Sequence, residues 1–262
     1  MTWYVCDVGN SRMKWGRCTA EAVVEIAALP LELPEAWEGQ FQAWKVPVAA
    51  TWYLAGVNPV PLGSLAQWLA VHGQQVRHYL GPAHLPLRLD VETPEAVGVD
   101  RLLNALAAWK TAPASVPAVL VDAGSAVTVD LLDAPAVFRG GAILPGLRLL
   151  AQALHSYTAR LPLVQVDQPQ PAVPGRSTAA AIRAGIYDAV VGGIVRLVHR
   201  YQQRFPLRRV WLTGGDAALL RPALEPWCQE HGLPLHLWPE MTLEGLRLAA
   251  AEPGCFADSP PA

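Results

Sequence analysis

Short apolar runs bounded by turn residues dominate the first part of the chain. The run at residues 3–8 predicts a strand, and the Gly9-Asn10 turn predicts a hairpin whose second strand covers residues 13–17. Residues 52–57 predict a buried strand, "PLGSLAQWLAVHG" predicts a helix ended by Gly73, and "QQVRHYL" predicts another strand. Residues 29–47, rich in proline and tryptophan, show no period that predicts an element.

A helical period appears next. Leu102, Leu103, Leu106 and Ala107 recur with helical spacing, so a helix is expected to start near residues 98–101. The N-terminal pattern then returns: "VLVDAGSAVTVDLL" is again an apolar strand, an aspartate, a glycine turn and a second strand. "GGAILPGLRLLAQALH" adds a helix, and "GRSTAAAIRAGIYDAVVGGIVRLVHRYQQRF" predicts a long helix broken around its glycines. "RRVWLTGGDAALLRPAL" predicts a strand, a glycine turn and a helix.

Strands interleaved with helices in both halves indicate an α/β protein. A boundary is expected within the small and proline-rich residues 112–118, which divides the chain into an N-terminal domain, residues 1–115, and a C-terminal domain, residues 116–255. The tail from Glu252 onward is expected to fray.

Composition excludes several classes of partner. The formal net charge of −2 provides no basic surface for nucleic acid or an anionic membrane, and no apolar run is long enough to span a bilayer. Four cysteines, scattered without the close pairs of a zinc site or a disulfide framework, favour a reducing compartment. We therefore expect a cytoplasmic protein that binds neither nucleic acid nor membrane.

The repeated strand-Asp-x-Gly unit is the candidate chemistry. Asp7-Val8-Gly9 and Asp122-Ala123-Gly124 would place two carboxylates across an interdomain cleft, where they could hold a hydrated cation that neutralises phosphate charge. Glycine allows the backbone to approach a phosphate chain closely. The alternative for each copy is an ordinary turn, since turns recruit aspartate and glycine for their own reasons. No P-loop and no dinucleotide-binding fingerprint competes for this role.

These segments resemble those of type III pantothenate kinase, the Bvg accessory factor-like family of the actin, hexokinase and acetate kinase superfamily. The resemblance covers nearly the whole chain and rests on segments in the family's order: "DVGNSRMKWG", "GVDRLLNA", "VDAGSAVTVD", "GGAILPGL" with "TARLP", "GRSTAAAIRAGIYDAVVGGI" and "TGGDA". It implies a two-domain actin-like (ribonuclease H-like) ATPase fold.

The resemblance also implies a nucleotide site. The first loop corresponds to the family's ATP phosphate loop, with Asp7 orienting Mg²⁺ through water and Lys14 neutralising charge. Asp122 corresponds to a ligand of a monovalent cation, K⁺ or NH₄⁺, and Ser125 to an ATP-contacting hydroxyl where threonine is common. The implied ATP-binding residues are Asp7, Val8, Gly9, Asn10, Ser11, Arg12, Met13, Lys14 and Ser125.

The substrate residues follow from the same resemblance. "GVDR" is similar to the family's substrate motif, which makes Asp100 the proton acceptor for the attacking hydroxyl. Asp100 taken alone also fits a helix cap, and Thr178 fits either a pantothenate contact or a cap of the helix that follows. Val91 stands where many members have a tyrosine against the substrate. The implied pantothenate-binding residues are Val91, Gly98, Val99, Asp100, Arg101 and Thr178.

The expected activity is ATP-dependent phosphorylation of pantothenate to 4′-phosphopantothenate, which opens coenzyme A synthesis. The resemblance further implies a homodimer, with the long helix from residue 179 to 198 a candidate interface. Two alternatives remain: a regulatory protein of the same fold that binds nucleotide without catalysis, and a kinase of this superfamily that acts on another small hydroxyl compound.

Overall fold

The computed structural model describes residues 2–113 and 116–258. The chain divides into two units: unit 1 comprises Met1–Thr111 and Glu240–Ala262, and unit 2 comprises Ala112–Pro239. The division after Thr111 falls close to the boundary expected at residue 115. Residues 240–255, expected in the second domain, belong instead to unit 1, because they form a helix that packs against the residue 99–111 helix and the first strand.

The elements are numbered in chain order. The strands are β1 Trp3–Val8, β2 Met13–Cys18, β3 Val23–Leu29, β4 Thr51–Gly56, β5 Gln75–Tyr79, β6 Arg88–Leu89, β7 Ala118–Ala123, β8 Ala126–Asp133, β9 Val137–Pro145, β10 Arg209–Thr213, β11 Leu235–Leu237 and β12 Phe256–Asp258. The α-helices are α1 Pro34–Ala43, α2 Pro59–Val71, α3 Val99–Thr111, α4 Leu147–Ser156, α5 Thr178–Gln202, α6 Ala217–Glu230 and α7 Met241–Ala251.

The sheet of unit 1 has the strand order β12-β5-β4-β1-β2-β3. The predicted β1–β2 hairpin is confirmed, and its antiparallel register pairs Asp7 with Lys14. β4 and β5 continue the sheet as parallel neighbours. The tail is not frayed up to residue 258, because β12 pairs antiparallel with β5 and gains the ladder hydrogen bonds of an edge strand.

One face of this sheet is covered by an aromatic cluster. Tyr4 stacks on Trp52 with ring centroids 4.7 Å apart, and Trp15 meets Trp52 edge-on at 4.9 Å. α1, α2 and the segment after α1 complete the cluster with Trp37, Phe41, Trp44 and Trp68. Residues 29–47, for which the sequence predicts no element, therefore supply α1 and part of this core.

The second half repeats the hairpin, as the sequence predicts. In unit 2 the strands lie in the order β11-β10-β7-β8-β9, with β7 and β8 antiparallel and β10 parallel to β7. α5 is continuous over 25 residues, so the expected break around its glycines is wrong. Buried Ile186, Val190 and Ile194 hold the helix in the core of unit 2, and this burial outweighs the cost of about 1 kcal/mol for each helical glycine.

Replacement of Trp37 tests the structural role of residues 29–47. The side chain is 2% exposed, and its Nε1 donates to the carbonyl oxygen of Pro30 at 2.8 Å. Trp37→Ala should lower the free energy of unfolding in urea by about 3–5 kcal/mol. Val48→Ala, at a 90% exposed position, is the control and should stay within about 0.5 kcal/mol of the wild type. Equal midpoints for the two variants would contradict this role.

Candidate active site

The first loop of unit 1 joins β1 to β2 through residues 9–12. The Gly9 N–H donates to the carbonyl oxygen of Arg12 at 3.1 Å, which closes the turn. Asn10, Ser11 and Arg12 are exposed. Polar and basic side chains on a tight glycine turn after a buried strand can bind phosphate through amides, a hydroxyl and a guanidinium.

Asp7 and Lys14 are the charged pair at the base of this loop. They lie opposite each other in the β1–β2 ladder, and both are half-buried. Because side chains alternate along a strand, Asp7 shares its face with Val5, while Cys6 and Val8 enter the aromatic cluster on the other face. The loop therefore presents one carboxylate and one ammonium on the same side of the sheet.

Asp100 lies in the first turn of α3. Its Oδ1 accepts the backbone N–H of Arg101, the next residue, at 2.9 Å. A capping side chain binds an N–H two or three residues further along the helix, so this hydrogen bond is not the capping contact. Burial raises the pKa of Asp100, and the N–H and charge of Arg101 together with the charge of Lys14 oppose that rise. Lys14 of β2 therefore contributes to the electrostatic environment of Asp100. A carboxylate with a raised pKa is a stronger base than an exposed aspartate.

Gly98 gives this carboxylate its space. A Cβ at position 98 would lie 2.6 Å from Asp100 Oδ1, so a side chain there would displace the carboxylate. Val99 is buried at the start of α3, whereas Arg101 is half-buried. Gly98 therefore lies directly beside the Asp100 carboxylate at the start of α3.

Unit 2 holds its own carboxylate at the end of a central strand. Asp122 lies near the end of β7, with Thr213 of β10 as its parallel neighbour. Gly214 follows at a φ of +99°, and a Cβ there would lie 2.5 Å from Asp122 Oδ1. Only glycine suits this position, because both the backbone conformation and the space exclude a side chain.

Ser125 lies in the turn between β7 and β8 and is half-buried. Its carbonyl oxygen accepts the N–H of Gly146, the residue that precedes α4, at 3.1 Å. The N-terminus of α4 therefore contacts the Asp-x-Gly turn of unit 2. Sequence reasoning assigned no role to Gly146, although a glycine directly before an apolar helical period is a recognisable signal.

Thr178 and Val91 lie outside the two Asp-x-Gly turns and outside α3. Thr178 is the first residue of α5 and is exposed; Ser177 makes the cap, since its Oγ accepts the N–H of Ala180 at 3.2 Å. The residue that caps α5 is therefore Ser177 and not Thr178. Thr178 lines a groove of about 420 Å³ with apolar residues of α4 and α5. Val91 is half-buried in the segment after β6.

The described residues contain no group of three or more His, Cys, Asp or Glu side chains arranged to hold a metal. Asp7 and Asp122 each stand beside a glycine turn. Mg²⁺ in phosphate sites is commonly held by one or two carboxylates, with phosphate and water oxygens as the other ligands, so the residues present fit a cation that arrives with a nucleotide. Among residues 2–113 and 116–258, no helix is long and apolar enough to cross a membrane.

Comparison with solved structures shows the fold. A conserved Baf family protein from Campylobacter jejuni matches 94% of this chain and 96% of its own, with 21% identity and a TM-score of 0.57. The activator of 2-hydroxyisocaproyl-CoA dehydratase from Clostridium difficile, solved with bound ADPNP, matches 95% and 94% with 12% identity and a TM-score of 0.56. The α/β fold of actin-like ATPases and sugar kinases, expected from the sequence, is confirmed.

Comparison of sequences shows the family. The type III pantothenate kinase of Synechococcus sp. (strain JA-3-3Ab) is 35% identical over 247 residues, which cover 93% of this chain and 90% of that protein. The model of the type III pantothenate kinase family matches residues 4–200. The chain therefore belongs to the type III pantothenate kinase family.

Proposed function

We propose that the chain transfers the γ-phosphate of ATP to the 4′ hydroxyl of pantothenate, the first step of coenzyme A synthesis. The observation that carries the chemistry is Asp100, a half-buried carboxylate at the start of α3 that lies beside Gly98 and has its pKa raised by desolvation. Family membership supports the choice of substrate.

The ATP-binding part of this proposal assigns roles within each unit separately. In unit 1, residues 7–14 surround the phosphates with the turn amides, and Lys14 neutralises charge. In unit 2, the hydroxyl of Ser125 contacts the nucleotide. The exposure of residues 10–12 and the glycine turns of both hairpins support this assignment. Phosphoryl transfer depends mainly on positioning and charge neutralisation, which these groups provide.

The pantothenate-binding part centres on the start of α3. Asp100 accepts the proton of the attacking hydroxyl, and Arg101 binds the carboxylate of pantothenate in fork geometry. Gly98 and Val99 form the backbone beside the substrate, with Val91 and Thr178 as further contacts. The space at Gly98, which leaves the Asp100 carboxylate room, supports this arrangement.

Two cations complete the proposal. Asp7 orients Mg²⁺ through water, and Asp122 binds a monovalent cation, K⁺ or NH₄⁺. When bound, these cations offset the negative charge of the phosphates. The single carboxylate beside a glycine turn in each unit supports these roles.

The proposal is tested by ADP release with Mg-ATP, with and without pantothenate, in potassium and in sodium buffer. We expect release to depend on pantothenate and to be faster in potassium. Asp122→Asn should abolish the difference between the two buffers, since an amide attracts a cation less than a carboxylate does. Asp133→Asn is the control. Asp133 is the last residue of β8, at the end of that strand away from the Asp122 turn, so this variant should keep the difference between the two buffers.

Equal release by wild type in both buffers would remove the monovalent cation from the proposal and leave the kinase. No release in any condition, with ATP still bound, would favour the non-catalytic alternative. Release that follows a sugar or acetate instead of pantothenate would identify a kinase for another small compound; Val91, at a substrate position where many members have tyrosine, is the observation that favours this candidate.

Asp100→Asn separates the catalytic role from a purely structural role. Asparagine keeps an Oδ1 that can accept the Arg101 N–H, so a purely structural residue would tolerate the change. We expect kcat to fall by about 10²- to 10⁴-fold with the KM for ATP nearly unchanged. A kcat equal to that of wild type would exclude Asp100 as the base.

The same variant should melt at a higher temperature than wild type at pH 7. The raised pKa means that the folded state binds the Asp100 proton more tightly than the unfolded state, so ionisation of this group costs stability as the pH rises above the unfolded value. A neutral amide avoids that cost, and the advantage should vanish at acidic pH, where the aspartate is protonated in both states.

We also propose a homodimer that uses α5 and α4. Ala181, Gly185 and Ala189 are exposed, recur every four residues along α5, and line the groove of about 420 Å³ with Leu150 and Leu154 of α4. Small residues at this spacing allow a second helix to approach closely, and exposed apolar surface of this kind is typical of an interface. We further propose a cytoplasmic location, which the four free, buried cysteines support.

The dimer is tested by light scattering coupled to size-exclusion chromatography. Wild type should elute at twice the mass of the chain, and Ala189→Glu should elute as a monomer, because a carboxylate in an apolar interface cannot be solvated. Ala70→Glu, at an exposed position of α2, is the matched control and should remain dimeric. A monomeric wild type would exclude the dimer.

A further inference from the structure

α3, which carries Asp100, is seated against α7 at an unusually close point. A Cβ at Gly245 of α7 would lie 2.5 Å from the carbonyl carbon of Leu103 and would overlap its carbonyl oxygen. These atoms are backbone, so they cannot turn aside as the end of a side chain can. Any side chain at position 245 must therefore push α3 and α7 apart.

A buried hydrogen bond fixes the same contact. Thr242 Oγ1 donates to Asn104 Oδ1 at 2.9 Å, and both residues are buried. A polar pair in a desolvated helix contact has a defined geometry, since a displaced partner would leave a buried group unsatisfied. Gly245 and Thr242 together determine how α3 lies on α7.

α7 is itself fixed to the sheet of unit 1. Leu243 Cδ1 lies 3.5 Å from the position that a Cβ on Gly16 of β2 would take. Arg247 donates through Nη1 to the carbonyl oxygen of Ala20, in the β2–β3 turn, at 2.6 Å. Its Nε and Nη2 bind the Glu244 carboxylate at 2.9 and 2.6 Å, so the buried guanidinium is paired.

We infer that α7 is a positioning element for the reaction: it rests on β2, the strand that carries Lys14, and through Gly245 and Thr242 it sets where α3 holds Asp100 relative to that strand. Gly245 and Thr242 are positioning residues that act through Asp100 and not through substrate. The inference rests on the proposed function, in which Asp100 is the base.

The first test is Gly245→Ala, with Gly63→Ala as the matched control. Gly63 is also in a helix of unit 1, and a Cβ there would meet nothing within 4 Å. Gly245→Ala should lower kcat at least about tenfold with the KM for ATP within about twofold of wild type, since a displacement of about 1 Å can cost 10²-fold. Gly63→Ala should keep the wild-type kcat. Equal kcat values for the two variants would overturn the inference.

A double-mutant cycle distinguishes positioning from general damage. In the Asp100→Asn background, Gly245→Ala should lower kcat less than about twofold, because the group it displaces is already gone. If the two losses multiply in full, Gly245 does not act through Asp100 and the inference fails. A wild type without pantothenate-dependent ADP release would instead reject the proposed function, so the two failures are distinguishable.

A second pair of variants, at Thr242, tests the positioning role of α7 if Gly245→Ala does not fold. Thr242→Val removes the donor to Asn104 at nearly constant shape, whereas Thr242→Ser keeps the hydroxyl. We expect Thr242→Val to lower kcat, with the acidic limb of the kcat pH profile displaced, and Thr242→Ser to restore both. A kcat and pH profile for Thr242→Val equal to those of wild type would overturn the inference.

Discussion

The strand β1 is enclosed on both faces, and this constraint determines the rest of unit 1. Tyr4, Cys6 and Val8 point into the aromatic cluster, whereas Val5 and Asp7 face the side on which α7 lies. Side chains in a strand alternate with a period of two, so a slip of one residue would bury the Asp7 carboxylate among tryptophans. The cost of burying that charge holds the hairpin in register and thereby places Lys14 opposite Asp7.

Unit 2 also has an aspartate near the end of a buried strand, but different residues surround it. Asp122 lies one residue before the end of a buried central strand, as Asp7 does, but its space is limited by Gly214, which directly follows the parallel neighbour β10. Each unit thus offers one carboxylate beside a glycine turn. A lone carboxylate is a weak metal site by itself, and it becomes effective only when a ligand brings its own phosphate oxygens.

The ionised carboxylate of Asp100 lowers the stability of the fold because it is partly removed from water. Desolvation disfavours its charged form, and the N–H and charge of Arg101 with the charge of Lys14 recover only part of that loss. A carboxylate in this balance is more basic than one in water. Packing elsewhere in unit 1 holds α3 in place, in particular the close contact of α3 with α7 and the hydrogen bond from Arg247 of α7 to the Ala20 carbonyl oxygen.

The sequence by itself determined what local patterns encode: the two strand-turn-strand hairpins, the start of α3, the α/β fold and the family. Tertiary structure decided α1, whose residues have no helical period but bury Trp37, and the continuity of α5, whose glycines are outweighed by the burial of Ile186 and Ile194. It also decided the placement of the C-terminal helix in unit 1, because the contact between Gly245 and Leu103 joins residues far apart in the chain. The structural role of a glycine within a helix can be recognised only when the backbone that packs against it is known.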